Sequence, residues 1–303
     1  MPYKIFIAKA PKEIDEVFKV RHRVFAKEEG LLADAGEERI FDRYDAYPNT
    51  TNLAVSEAGD VIGGMRVTVD SDIGIPADHY FDFRQYLPEG SRPMHCGMFC
   101  VEKAHRHHKV SLGLLYMASY FAISNNVTHI VAPINPMIGA MLMRIGFQKV
   151  ADQFVDQSTG VPMVPLIADM ANMNDAFTHF VQANQIQDFI HQYERVFFKD
   201  GEYVIKAGDT DNCAYVIIEG KAKVLSPKSG KEIGQLGQGD VFGELALLTN
   251  MPRSTSIIAQ DGLQVMSLSQ SVFSEQLIKR PERVKKLLEM MGARTHKLIQ
   301  ALE

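Results

Sequence analysis

Cysteine is scarce: Cys96, Cys100 and Cys213 are the only three in 303 residues. They are too few and too scattered for a disulfide framework, so reduced thiols and a cytoplasmic setting are expected. No apolar run reaches the ~18 residues that cross a bilayer, which excludes a helical membrane span. The opening stretch, MPYKIFIAKAPKEID, sets Lys4, Lys9 and Lys12 among its apolar positions and is not expected to act as a secretion signal. Basic charge is not in excess either. A formal net charge of -5 argues against a nucleic-acid footprint spread over the surface, and no DNA partner is expected. Internal repeats and low-complexity tracts are also missing. What remains is 46% hydrophobic and 23% charged residues, the balance of an ordinary globular protein, in a chain long enough for two cores.

The two halves follow different patterns. From residue 4 to about 168, strand and helix signals mix. KIFIAKA alternates like a strand, and PKEIDEVFKVRHRVFAKEEG reads as a helix entered at Pro11 and stopped at Gly30. TNLAVSEAGDVIGGMRVTVD reads as a hairpin about a Gly-Asp turn, HCGMFCVE as a further strand, and VSLGLLYMASYFAISNN as an apolar helix. THIVAPI is again a strand, followed by a short helix in NPMIGAMLMRIG with Asn135 as cap and Gly146 as stop. A polar helical connector is expected at 169–195. From 196 onward, short strands are punctuated by DGE, AGD, EG, SPKSG and GQGD, the mark of a small antiparallel barrel or roll that continues to the chain's end. The expected domains are therefore 1–168, 169–195 and 196–303. In the closing helix, Leu277, Val284, Met291 and Leu298 recur every seven residues, which suits a lid or a homodimer seam. Arg280 and Arg294 at the alternate positions favour plain amphipathicity.

FGELALLTNMPRSTSI contains two charges inside an apolar run, Glu244 and Arg253. Buried charge is costly unless something pairs with it. A helical turn beginning at Gly243 offers free amides to an anion, and the Arg253 guanidinium suits a phosphate held bidentately. Glu244 would then take a sugar hydroxyl. An internal Glu–Arg ion pair is the alternative. GQGDVFGELALLTNMPRSTSI as a whole resembles the phosphate-binding cassette of cyclic-nucleotide-binding domains. The resemblance implies a β-jelly-roll with flanking helices over about 178–303 and an effector nucleotide, cyclic AMP favoured over cyclic GMP. It implies a site made of Phe242, Gly243, Glu244, Leu245, Arg253, Ser254 and Thr255.

The first half resembles the GNAT acyltransferase superfamily, carried by MLMRIGFQKV and by MFCVEKAHRHHKVSLGLLYMAS. The implied fold is α+β or α/β. The resemblance puts an acyl-donor phosphate loop at Arg106, Lys109, Val110 and Ser111, although both glycines of the usual loop are missing and Leu142 stands where many members have Tyr. VRHRVF, FDRYD and GGMRVTV are similar to autoinducer synthases and N-acyl amino acid synthases, which implies an N-acyltransferase. Its donor would be an acyl carrier protein or CoA thioester, and its acceptor an amine of an amino acid or a protein lysine. By that resemblance Asp42, Asp45, Arg66 and His95 are candidate catalytic residues, and Arg21, Phe25, Cys100 and Val101 bind substrate. His95 would be a base near neutral pH. A cyclic-nucleotide-regulated acyltransferase is the expected function, with a cyclic-AMP-regulated lysine acetyltransferase or an inactive sensor as alternatives. No metal is expected from the histidines and cysteines of 95–108. On a strand, Cys96 and Cys100 would face one side and His95 the other.

Overall fold

The computed structural model describes residues 3–33, 36–106, 108–157, 159–173, 194–249 and 251–273, with short pieces at 284–285, 288–289 and 291–292. Contacts divide the chain into two units, one spanning Tyr3–His191 and the other Gln192–Glu303 together with the first two residues. The expected connector falls largely on 174–193, outside the described residues. Strands outrun the expected limits at 168 and 196, one ending at Asp169 and the next beginning at Glu194.

In the first unit, β1 (Tyr3–Ala8) leads to α1 (Pro11–Arg21). Proline at the first helical position costs no hydrogen bond, and Glu13 Oε2 accepts from the amides of Lys9 and Ala10, both at 2.9 Å. The helix widens into a π-helical segment, His22–Glu28, before Gly30 turns the chain at φ +61. A 3-10 turn, Arg43–Ala46, precedes the hairpin of β2 (Thr50–Glu57) and β3 (Asp60–Val69). Then follow β4 (Pro93–Val101), α2 (His108–Ser124), β5 (His129–Ile134) and α3 (Pro136–Arg144). Asn135 caps α3, its side chain accepting from the Met137 amide at 3.0 Å, and Gly146 follows at φ +107. Short β6 (Gln148–Lys149) and β7 (Phe154–Val155) precede β8 (Pro162–Asp169). The sheet order is β1-β2-β3-β4-β5-β8-β6, with β7 also on β8. Every pairing is antiparallel except β4 with β5, so the sheet is mixed.

One face of this sheet packs under α1 through Phe6, Ala8, Val17, Val20, Ala54 and Cys100. The other packs under α2, whose apolar character all round makes it a buried helix. Strand β4 changes phase between the two. Gly64 pairs with Cys100 while Arg66 pairs with Gly97, so β4 carries one extra residue, and Met98 takes φ +51 in the bulge. Cys96 therefore faces α2 beside Leu115 and Ala118, whereas Cys100 faces α1. The expected shared side for the two cysteines is corrected: it is His95 that shares its face with Cys100, because the bulge adds one residue to a period of two.

In the second unit, β9 (Glu194–Phe197), β10 (Tyr203–Ile205), β11 (Cys213–Leu225), β12 (Glu232–Leu236) and β13 (Val241–Phe242) precede α4 (Glu244–Thr249). β14 (Ser256–Ser269) and α5 (Gln270–Phe273) follow. Two long strands organise it. β14 pairs with β9, β10 and β11, and β11 also takes β12 and β13, all antiparallel. Bending of the long strands at Gly220 (φ +80) lets one strand serve several short partners and wrap a core of Ile205, Ile217, Leu236, Phe242, Leu263 and Val265. Of the seven-residue repeat, only Val284 and Met291 lie among described residues. Among the described residues no helix is long and apolar enough to cross a membrane.

Candidate functional sites

In the first unit, α1, β2, β3 and the 3-10 turn bring four charges together on the α1 face. Arg21 and Arg66 are wholly buried, and a buried guanidinium needs counter-charge. Asp45 supplies it to both. Its Oδ1 accepts from Arg21 Nη1 at 2.9 Å and its Oδ2 from Arg66 Nη1 at 3.0 Å, with the Asp42 amide also on Oδ2 at 3.1 Å. Arg21 Nη2 donates to Asn52 Oδ1 at 2.5 Å. Asp42 differs. Its Oδ1 accepts from Arg66 Nη1 at 2.5 Å and from the Tyr44 amide at 2.8 Å, while its Oδ2 accepts no hydrogen bond among the described residues. Its side chain remains about one third exposed (30%), against 5% for Asp45. Asp45 is spent on holding the arginines, and Asp42 keeps one oxygen for something else. Burial in the field of Asp42 holds the Tyr80 phenol above its ordinary value, so it stays protonated.

His95 pairs across from Thr68, one step from Arg66, and lies almost wholly buried. Gly97 makes room for it: a Cβ there would stand 2.7 Å from His95 Cε1. Burial, aided by the Arg66 charge, pushes its pKa down to about 3. The expectation of a base titrating near neutral pH is thereby revised to that of an imidazole that is neutral at pH 7. Burial also lifts the Cys96 thiol to about 12 and the Cys100 thiol to about 11, so neither is a thiolate at neutral pH.

Strands β4 and β5 pair only from Pro93↔His129 to His95↔Val131, and part where the bulge begins. Against the parted strands lies a cavity of about 20 Å³, lined by Met65, Cys96, Phe99, Leu115, Leu142 and Phe147 among others. Its one hydroxyl, that of Ser119, is turned back onto the Leu115 carbonyl at 3.1 Å. That volume holds about one water, so an acyl chain could enter only by parting the lining.

The other expected residues scatter. Phe25 packs against the α1 core, and Cys100 and Val101 are buried in the sheet. Val110 is buried, leaving its backbone alone to meet a phosphate, while Ser111 is partly exposed. The Lys109 side chain lies outside the described ones. Arg106 is already engaged: its Nε donates to the Val101 carbonyl at 2.7 Å and its Nη2 reaches Glu28 at 3.1 Å and Glu29 at 2.7 Å. Those glutamates come from the end of the π-helical segment, a partnership no local pattern foretells.

In the second unit, Phe242 is buried under Tyr215, and Gly243 takes φ +76 to start α4. Glu244 opens that helix almost wholly buried, while Leu245 beside it is half exposed. Arg253 lies beneath. Its Nη1 donates to the Gly243 carbonyl at 2.5 Å, and its Nη2 donates to Asp211 and to the Cys213 carbonyl. A Cβ at Gly243 would stand 2.7 Å from Arg253 Nη1, so only glycine permits this approach. The buried Nε has no partner among the described residues and is left for an acceptor. Ser254 and Thr255 follow on the surface side. The alternative reading, an internal Glu–Arg pair, is not found among the described residues: the carboxylate partner of Arg253 is Asp211. Asp211 sits in the AGDTDN turn, which read only as a turn.

Comparison with known proteins bears on both units. The family of N-acyl amino acid synthase FeeM matches residues 16–169, and the cyclic nucleotide-binding domain matches residues 195–280. The chain is 29% identical over 134 residues to the cAMP-dependent protein kinase regulatory subunit of Mucor circinelloides f. lusitanicus, covering 41% of this chain and 31% of that protein. With the corresponding subunit of Mycosarcoma maydis it shares 38% over 87 residues, covering 26% of this chain and 17% of that one. The chain thus spans less than a third of the length of these relatives. The solved structure of FeeM, an N-acyl amino acid synthase from uncultured soil microbes, aligns at a TM-score of 0.49 and 17% identity, over 57% of this chain and 93% of that one. The mixed sheet of the first unit thus carries the FeeM match, and the antiparallel β-domain of the second carries the cyclic nucleotide-binding match.

Proposed function

The chain belongs to the FeeM family of N-acyl amino acid synthases, and from that premise we propose that its first unit joins an acyl thioester to the amine of an amino acid while its second unit senses cyclic AMP. The observation that carries the first part is the buried set of two arginines and two aspartates, which leaves one oxygen of Asp42 open. That oxygen takes the ammonium of the acceptor. Arg21, Arg66 and Asp45 hold the turn that presents it. Once the ammonium has lost a proton to water, its nitrogen attacks the thioester carbon, the C–S bond breaks, and the nitrogen's second proton passes to the leaving thiolate. With both sheet thiols protonated, the transfer is direct and has no acyl-cysteine stage. His95 enters this scheme as a neutral hydrogen-bond acceptor.

The acyl chain enters at the parting of β4 and β5 by displacing the apolar side chains that line the small cavity there. A carrier-protein thioester is favoured over CoA, because Arg106 is neutralised by Glu28 and Glu29 and the loop lacks both glycines that admit a pyrophosphate. In the second unit, Arg253 holds the cyclic phosphate and Glu244 the ribose, and the relatives named for cyclic AMP favour that nucleotide. Regulation follows if the nucleotide binds two states of the chain unequally.

The test is to incubate the purified protein with acyl-loaded carrier protein and amino acids, with and without cyclic AMP, and record products by mass spectrometry. A long-chain N-acyl amino acid whose rate of formation responds to cyclic AMP is expected. Transfer of acetyl from acetyl-CoA to protein lysine would replace this reading, and no transfer to any amine would leave only a sensor.

A further inference from the structure

The 3-10 turn that carries Asp42 at its cap also carries Arg43, and neither residue is fully used. Arg43 is exposed. Its Nη2 donates to the Tyr44 hydroxyl at 2.9 Å and stands 2.9 Å from His79 Nε2, and its guanidinium lies 4.9 Å from the centre of the Tyr44 ring. Its Nε and Nη1 donate to nothing among the described residues. Consecutive side chains on a helical turn do not face each other, so Arg43 could meet Asp42 only by folding back over the turn. Here it does not, because stacking on buried Tyr44 and the contact with His79 pin the guanidinium to the turn.

The result, on consecutive residues, is a carboxylate with one oxygen unengaged and a guanidinium with two nitrogens unengaged, and the two do not hydrogen-bond to each other. A free α-amino acid carries the complementary pair on a single carbon, ammonium and carboxylate. We propose that Arg43 recognises the α-carboxylate of the acceptor while Asp42 Oδ2 takes its ammonium, making Arg43 the residue that selects free α-amino acids. This rests on the acyl-transfer reading above and narrows it: a lysine side chain in a protein has no carboxylate to offer at that position.

The experiment uses the full chain, carrier protein loaded with a dodecanoyl group, and a panel of amino acids. The best acceptor is then compared with its methyl ester and with the amine lacking its carboxylate. The wild type is expected to show a KM for the acid about tenfold or more below that for the ester, since a site built for a polar group rejects the analogue lacking it. Arg43→Gln should raise the KM for the acid about tenfold and bring acid and ester to similar values, with Arg43→Lys recovering part of the difference. Equal KM for acid and ester in the wild type, or an unchanged ratio in Arg43→Gln, overturns the assignment. If Arg43→Gln fails to fold, the wild-type ratio and Arg43→Lys decide. If no amine is acylated at all, the acyl-transfer reading fails, and calorimetry of the same amino acids against wild type and Arg43→Lys still reads whether Arg43 binds the carboxylate.

Discussion

At the scale of single residues, Asp42 and Asp45 are the same side chain three positions apart with different work. Asp45 is the shared counter-ion of two buried arginines, so Asp45→Ala leaves Arg21 with no carboxylate and only Asn52 as partner, and leaves Arg66 with Asp42 alone. A loss of about 3–5 kcal/mol in urea denaturation is expected, a large share of an ordinary folding margin. Asp42→Asn keeps the cap and one acceptor, so its melting curve should move little while acceptor KM rises about tenfold or more in the same acyl-transfer assay. Equal damage to stability by both variants would contradict this division. His95 gives a second prediction. Its folded pKa of about 3 lies below the ordinary 6.5, so the unfolded chain binds the extra proton between those values. The stability it contributes is whole above pH 6.5 and is lost as pH falls toward 3, a change on the order of 5 kcal/mol at full extent. Denaturation curves collected from pH 7 to 4 should be flatter in His95→Gln than in wild type.

At the scale of elements, the bulge in β4 decides which side chains meet. Met98 holds a backbone conformation that a β-branched residue tolerates poorly, so Met98→Val should cost about 1–2 kcal/mol, read as a lower urea midpoint. An unchanged midpoint would mean that the bulge relaxes at no cost. The same bulge marks the limit of what could be read from sequence. The hairpin, the apolar helix, the Asn135 cap and the Gly146 stop were legible because each is local, fixed by spacing and by one or two residue types. The bulge was not, since an extra residue leaves HCGMFCVE alternating as before and declares itself only against the partner strand. The pairing of Arg21 with Asp45 over 24 residues, of Arg106 with Glu28 over 78, and of Arg253 with Asp211 over 42 was equally hidden. Charges that distant are joined by the fold, and no periodicity reports them. The cassette around Gly243 was legible through its resemblance to cyclic-nucleotide-binding domains; its residues taken alone left an internal ion pair equally open.

At the scale of the whole molecule, two units on one chain should be separable by heat. Cyclic AMP at about a hundred times its dissociation constant adds ~2.7 kcal/mol to the unit that binds it. Scanning calorimetry should therefore show one transition rising by several degrees, and Arg253→Ala should abolish the rise. A shift that survives that substitution would place the nucleotide elsewhere. The contact between Arg253 and Asp211 has a further consequence for such measurements. The guanidinium does not wait in water for its anion: it begins in the grip of a carboxylate, so the measured affinity is the difference between two competing attractions. Asp211→Asn, by making the incumbent a weaker rival, should tighten cyclic AMP in calorimetry and slow its departure, leaving a sensor that hears the signal sooner and forgets it later.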